Sequence, residues 1–302
     1  MDPSERRDLE HLSIVETNNY IATDESWTRR HGVLTTRIIS RVASDSKYYF
    51  YRIIAHDREF RVHNFLKAMK NAQTDDLDII NISAGVSHKD CGGNCRPCTA
   101  ARQLLNDETL IVAGAGNTMG DDKKSLFCPA YVDQVIAVGA FHTFCTYEIK
   151  NKNQSFPFRP TSIDHPASCY YLEDDESRPC GELYGEQMCG QRGCTAGTPC
   201  SNFQKERLWS GNVDFSKKRP DVFAPSHVAV VTEDNVEYDE GTSFSTAYVT
   251  GSLAAIFAEL ERKTELPSPR EVNTGLTMID ETVGDSSWRK YDARTLFEFL
   301  SR

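Results

Sequence analysis

The densest group of chemically able residues is Gly241-Thr242-Ser243-Phe244-Ser245-Thr246-Ala247. Glu240 and Gly241 read as a turn. The run to about Lys263 then carries small and apolar residues on every side (Ala247, Val249, Gly251, Leu253, Ala254, Ala255, Ile256, Phe257) before ending in charge. That pattern predicts a helix packed inside a domain, with its N-terminus at Thr242 or Ser243. The first N–H groups of a helix have no intrahelical partners, and the helix dipole favours negative charge there. A hydroxyl at this point suits a nucleophile whose reaction develops an oxyanion. The plainer alternative is an N-cap, a common role of Ser and Thr at a helix start.

The ten cysteines are a second chemical resource. Cys91-x3-Cys95-x2-Cys98, with Gly92 and Gly93 between, is a close spacing on one loop. Three thiolates from such a loop plus a fourth from elsewhere suit structural zinc, and Cys128 is the candidate fourth ligand. Cys180, Cys189, Cys194 and Cys200 could form another four-thiolate site. Disulfides are the competing reading in an oxidising compartment. Met1-Asp2-Pro3-Ser4-Glu5-Arg6-Arg7 has no apolar segment behind it. With Met1 as the start, the expectation is a cytoplasmic protein, and zinc is preferred over disulfides.

Elements that could position these groups are readable in the pattern. Leu12–Glu16 reads as a short buried strand stopped by Thr17-Asn18-Asn19, and His31 opens a helix through Ile39. Tyr48–Ile54 is aromatic and β-branched, hence a strand. Val62, Phe65, Leu66 and Met69 fall at helical spacing, giving a helix to about Ala72. Strands follow at Leu77–Ser83, Leu110–Ala115 and Val135–Val138, with a helix at Thr99–Leu105. Alternation of buried strands with helices predicts a mainly parallel sheet with helices on both faces. Active sites in such sheets gather at the carboxyl ends of strands, where Glu16, Ser83 and Asn117 are expected.

From about Phe141 to Lys218 Pro, Gly, acidic residues and cysteines (including Cys169) replace apolar periodicity. Residues 158–208 are therefore expected to be a cysteine-rich subregion inserted in a single domain spanning 1–302. Pattern returns at Val222–Ala224 and Val228–Val231, and Ser268-Pro269-Arg270-Glu271 starts a helix with Pro at its first position. Tyr291–Leu300 closes as a short helix.

Composition excludes some classes. A chain of 302 residues can bury a substantial core, and 39% apolar with 26% charged residues is ordinary for a globular enzyme. A net charge of -10 with scattered Lys and Arg argues against nucleic-acid binding. No apolar run reaches the length of about 18 residues that a membrane span needs. The acidic balance mildly favours neutral or basic peptides as targets.

Six segments in one order carry a resemblance. They are His31-Gly32-Val33; Asp78-Ile79-Ile80-Asn81-Ile82-Ser83-Ala84-Gly85; Ile111-Val112-Ala113-Gly114-Ala115-Gly116-Asn117; Pro129-Ala130 through Ala140; Arg219-Pro220-Asp221-Val222-Phe223-Ala224-Pro225; and Gly241–Ala247. Each is weak alone. Together they resemble the boxes of the subtilisin-like serine proteases from about Leu12 to Leu300. The resemblance implies a three-layer α/β fold, a polypeptide substrate and acyl transfer through a Ser-His-acid triad, with no cofactor for catalysis. Ser243 is then the nucleophile and His31 the general base, later protonating the leaving amine. His56, His63, His88, His142, His165 and His227 sit in no matching context.

The resemblance implies further roles. Asn117 is the side-chain oxyanion donor beside the Ser243 N–H, and Ser83-Ala84-Gly85 with Ala113-Gly114-Ala115 walls the substrate pocket. Small residues there let an extended substrate backbone pair as an added strand. The chain departs from the family at two places. The acid position at the first strand holds Glu16 in place of Asp, with Asp24 the alternative, and Thr246-Ala247-Tyr248 stands where Thr-Pro-His is usual. Two other functions compete with the peptidase. One is a pseudoprotease that binds without cleaving, and the other is a regulatory module whose cysteine sites matter more than Ser243. Residues 1–11 are short for an inhibitory propeptide, so restraint is expected from a regulatory protein partner, from the insertion covering the cleft, or through activation by complex assembly.

Overall fold

The computed structural model describes residues 12–20, 31–54, 61–87, 94–105, 109–117, 126–149, 152–157, 170–173, 176–179, 203–208, 213–214, 216–231, 236–262, 266–284 and 286–302. Its centre is a run of parallel strands: β3 (Ile79–Ile82), β5 (Leu110–Gly114), β7 (Ile136–Ile149) and β12 (Val222–Pro225). β1 (Ser13–Asn19) and β2 (Lys47–Arg52) form a separate parallel pair. β4 (Val86–Ser87) pairs antiparallel with β6 (Phe127–Cys128).

Side-chain alternation along the strands builds two cores. Ile111 and Ala113 face one side with Ile80, Ile82 and Ala137. There they meet Phe65 and Met69 of α2 (Val62–Ala72) and Ala101 and Leu104 of α3 (Arg96–Leu104). Leu110 and Val112 face the other side with Ile136, Val138 and Val222. Their partners are Val249, Leu253 and Ile256 of α4 (Thr242–Glu261), Val272 and Leu276 of α5 (Pro269–Thr277), and Leu296 of α6 (Ala293–Leu300). This is the expected helix–sheet–helix layering. Full burial of each of the Val, Leu, Ile, Phe and Met side chains among these contributes about 1.5–3 kcal/mol.

Helix starts follow the sequence signals. α1 (His31–Ser40) begins at His31, and α4 begins at Thr242, with Gly241 ahead of it at φ +145°, a region that favours glycine. Ser268 caps α5: its hydroxyl accepts from the Glu271 N–H, and the Glu271 carboxylate accepts from the Ser268 N–H at 2.8 Å.

Several segments differ from the sequence pattern. β1 runs on through Thr17, Asn18 and Asn19, because parallel pairing with β2 continues to Asn19 opposite Arg52. It is not buried: Ile14 and Val15 are 37% and 50% exposed, as suits a strand whose pairing is with β2 alone among the described strands. Glu16 accordingly lies inside the strand and not at its end. β7 extends to Ile149, far past Val138, since antiparallel partners β8 (Lys152–Pro157) and β11 (Phe203–Leu208) prolong its ladder. Phe203–Leu208 thus joins the main sheet, although it lies within the 158–208 stretch expected to be an insertion. β9 (Tyr170–Glu173) and β10 (Glu176–Pro179) form a hairpin in that stretch.

Candidate active site

Helix α4 carries the nucleophile candidate at its second position. Gly241 has no side chain with which to cap the helix, and Asn117 performs that task from across the fold. Its Oδ1 accepts from the Thr242 N–H at 3.0 Å and from the Thr242 hydroxyl at 2.8 Å. The Thr242 hydroxyl oxygen in turn accepts from the Gly116 N–H at 3.3 Å. With its carbonyl end held this way, the exposed Asn117 side chain keeps its NH2 end at the mouth of the helix, beside Gly241. A side chain at 241 would meet that nitrogen at 2.8 Å. The arrangement offers an amide donor at the end of a helix, where developing negative charge is favoured.

Ser243 is tied to the end of β3 in both directions. Its hydroxyl donates to the Ser83 carbonyl at 3.1 Å, and the Ser83 hydroxyl donates to the Ser243 carbonyl at 2.8 Å. The ties continue inward: the Asn81 amide donates to the Ser83 hydroxyl at 3.0 Å, and the Thr250 hydroxyl donates to Asn81 Oδ1 at 3.0 Å. One polar chain therefore sets the depth of α4 against β3. Ser245 adds a bond on the other flank, donating to the Ala224 and Pro225 carbonyls at the end of β12.

His31 stands at the start of α1, its ring 5.4 Å from that of Phe244 and inclined by 48°. Phe244 is buried against Leu34, so the residue after the serine seats the helix that carries the histidine. His31, Ser243, Asn117, Ser83, Ala84 and Gly85 all wall one cavity of about 1170 Å³. Gly114 shares that cavity, whereas Ala113 and Ala115 are fully buried in the core with Ile82 and Leu126. Strand alternation turns those two methyl groups away from the cleft. A Cβ at Gly114 would lie 3.1 Å from the Thr242 hydroxyl and 3.2 Å from that of Thr246.

Glu16 is placed differently. It is exposed on β1, accepts from Asn18 Nδ2 at 3.0 Å, and is not among the described residues lining the cavity. Its charge is felt by Tyr20 and Tyr51, whose hydroxyls are pushed above the usual tyrosine range by burial first, then by Asp75. Asp24 lies outside the described residues.

The box ahead of the serine has a structural part that the sequence pattern did not suggest. Arg219 is buried and donates to the Val132 and Val135 carbonyls and, at 2.8 Å, to Asp221. Asp221 also accepts from the Ala137 N–H at 2.8 Å. Burial pushes the Asp221 carboxyl up, and Arg219 opposes that push. This pair locks the start of β12 to the start of β7; two charged residues two apart beside a proline were its only signal in the sequence.

Of the cysteines expected to bind metal, Cys95, Cys98 and Cys128 come together. Cys91, Cys180, Cys189, Cys194 and Cys200 lie outside the described residues. No described helix is long and apolar enough to cross a membrane.

Known proteins agree with this architecture. The self-cleaved protease domain of PatA superimposes with a TM-score of 0.59 at 17% identity, covering 99% of this chain and 93% of that one. The prenylagaramide maturation protease PagA gives 0.58 at 16% identity, with 99% and 98% covered. A lanthipeptide protease gives 0.52 at 18% identity, with 97% and 84% covered. At such identities the likeness is one of fold. No match was found among curated protein sequences. The sequence itself matches the subtilase family over residues 16–278, so with this fold the chain belongs to the subtilase family, and it is a serine-protease hydrolase acting on polypeptides.

Proposed function

We propose that the chain is an endopeptidase in which Ser243 attacks the scissile carbonyl, His31 takes its proton, and Asn117 with the Ser243 N–H receives the oxyanion. The observation that carries this reading is the coupling of Asn117 to the first residue of the helix that bears Ser243. One short contact network sets the donor and the nucleophile relative to each other, as preorganised oxyanion stabilisation requires. Glu16 is the proposed acid that orients His31, on the sequence order of acid, His and Ser.

The Ser243 hydroxyl donates to the Ser83 carbonyl. An extended substrate needs a backbone acceptor on this wall, and the Ser83 carbonyl is one. A substrate N–H that takes this carbonyl releases the Ser243 hydroxyl to turn towards His31. Activation is thereby coupled to occupancy of the Ser83–Gly85 wall. A regulatory protein that lays a strand there acts on the same switch.

The reading is tested by incubating unfolded protein with the purified chain and with Ser243→Ala. Internal cleavage by the first and none by the second supports it. No cleavage by either, with the unfolded protein still bound, favours the pseudoprotease function instead.

A further inference from the structure

Away from the nucleophile, three sulfurs from two elements converge. Cys95 is the N-cap residue of α3, Cys98 lies in its first turn, and Cys128 ends β6. Their Sγ atoms all lie within 4.8 Å of one another. Cys98 and Cys128 are fully buried, and Cys95 is half-buried. Tetrahedral zinc with Zn–S bonds of about 2.3 Å holds its sulfurs about 3.8 Å apart, which lies within the 4.8 Å bound on this arrangement. The helix N-terminus favours thiolate over thiol, and soft thiolates select zinc over harder ions. A disulfide would use two of these sulfurs and leave the third out; one ion engages all three.

We propose that Cys95, Cys98 and Cys128 bind one Zn2+ that clamps α3 to β6. Each thiol loses its proton as its sulfur–zinc bond forms, with no change of oxidation state. Three thiolates leave one position of the tetrahedron for a further ligand.

The clamp lies behind the substrate wall. Cys128 pairs with Val86, just past Gly85, and a Cβ at Gly85 would meet the Cys128 carbonyl at 2.8 Å. The neighbouring Phe127 ring fills the space over Gly116, at 2.5 Å from where a Cβ would sit, next to Asn117. β6 therefore supports both sides of the cleft. Resting on the peptidase reading, the ion's effect on turnover is a rise in KM when it is removed. Its presence is independent of that reading.

The test is zinc content by plasma mass spectrometry of the full chain purified without chelator, beside disulfide mapping of the unreduced wild type. The expected result is one zinc fewer per chain in Cys98→Ser and in Cys128→Ser than in wild type. Cobalt-substituted wild type should show sulfur-to-metal charge-transfer bands that are lost in both variants. Should a substitution prevent folding, the wild-type cobalt spectrum and disulfide map decide alone. Equal metal content in wild type and variants, or a wild-type disulfide at any of the three cysteines, overturns the proposal.

Discussion

The Ser243 hydroxyl donates to the Ser83 carbonyl at 3.1 Å while the Ser83 hydroxyl donates to the Ser243 carbonyl at 2.8 Å. The start of α4 and the end of β3 thus hold each other in both directions. If substrate pairing releases the serine, peptides that reach the Ser83–Gly85 wall gain in kcat, because the binding is spent on reaching the transition state. A ladder of peptides lengthened one residue at a time should show kcat rising by about tenfold or more when the wall is reached, with little change in KM. A ladder that alters KM alone contradicts the coupling.

On the proposed reading Asn117 has two duties that mutation separates. Asn117→Ala removes the oxyanion donor, which should lower kcat by about two to three powers of ten with KM nearly unchanged. Thr242→Val keeps the donor but removes the hydroxyl that bonds Asn117 and Gly116. It should lower kcat less, by about tenfold, through looser aim. Steady-state kinetics on one peptide checks both, and equal losses would mean that Asn117 acts only as a helix cap.

The acid can be assigned by paired substitutions. Glu16→Gln should lower kcat by about four powers of ten, the cost of a misoriented base histidine. Asp24→Asn should leave it within about threefold. The reverse pattern gives the role to Asp24.

The parallel sheet, the two helical faces and the starts of α1, α4 and α5 were all legible, because strand periodicity and helix signals are local in the chain. The position of Ser83 and Asn117 beside the Ser243 cavity was legible through the small residues next to them. Contacts that depend on tertiary partners were not. Nothing in Thr246-Ala247-Tyr248 or in Gly241 announces that Asn117 caps α4 from 125 residues away. Ala113 and Ala115 belong to a segment read as pocket wall, yet alternation sends them into the core. The length of β7 was hidden because antiparallel partners far along the chain, not its own apolar pattern, extend it. Glu16 was read at the end of β1, and the pairing of Thr17–Asn19 with β2 moves that end onward.

The α5 capping box gives a stability prediction with a pH signature. Hydrogen bonds from the Ser268 N–H and hydroxyl hold the Glu271 carboxyl below its usual range. A lowered folded value means that this stabilisation is present above the unfolded pKa and disappears as pH falls through the folded one. Ser268→Ala should cost about 1 kcal/mol near neutral pH. Urea unfolding of the two proteins should show the gap narrowing in acid, and a gap independent of pH would contradict the linkage.

The role of Ser243 is tested most directly by reacting the folded chain with a fluorophosphonate and locating the adduct by peptide mass spectrometry. The account predicts one phosphonylated residue, Ser243, with labelling abolished in Ser243→Ala and slowed in His31→Ala. Failure of Ser243 to label, or labelling of another serine that survives Ser243→Ala, would contradict it.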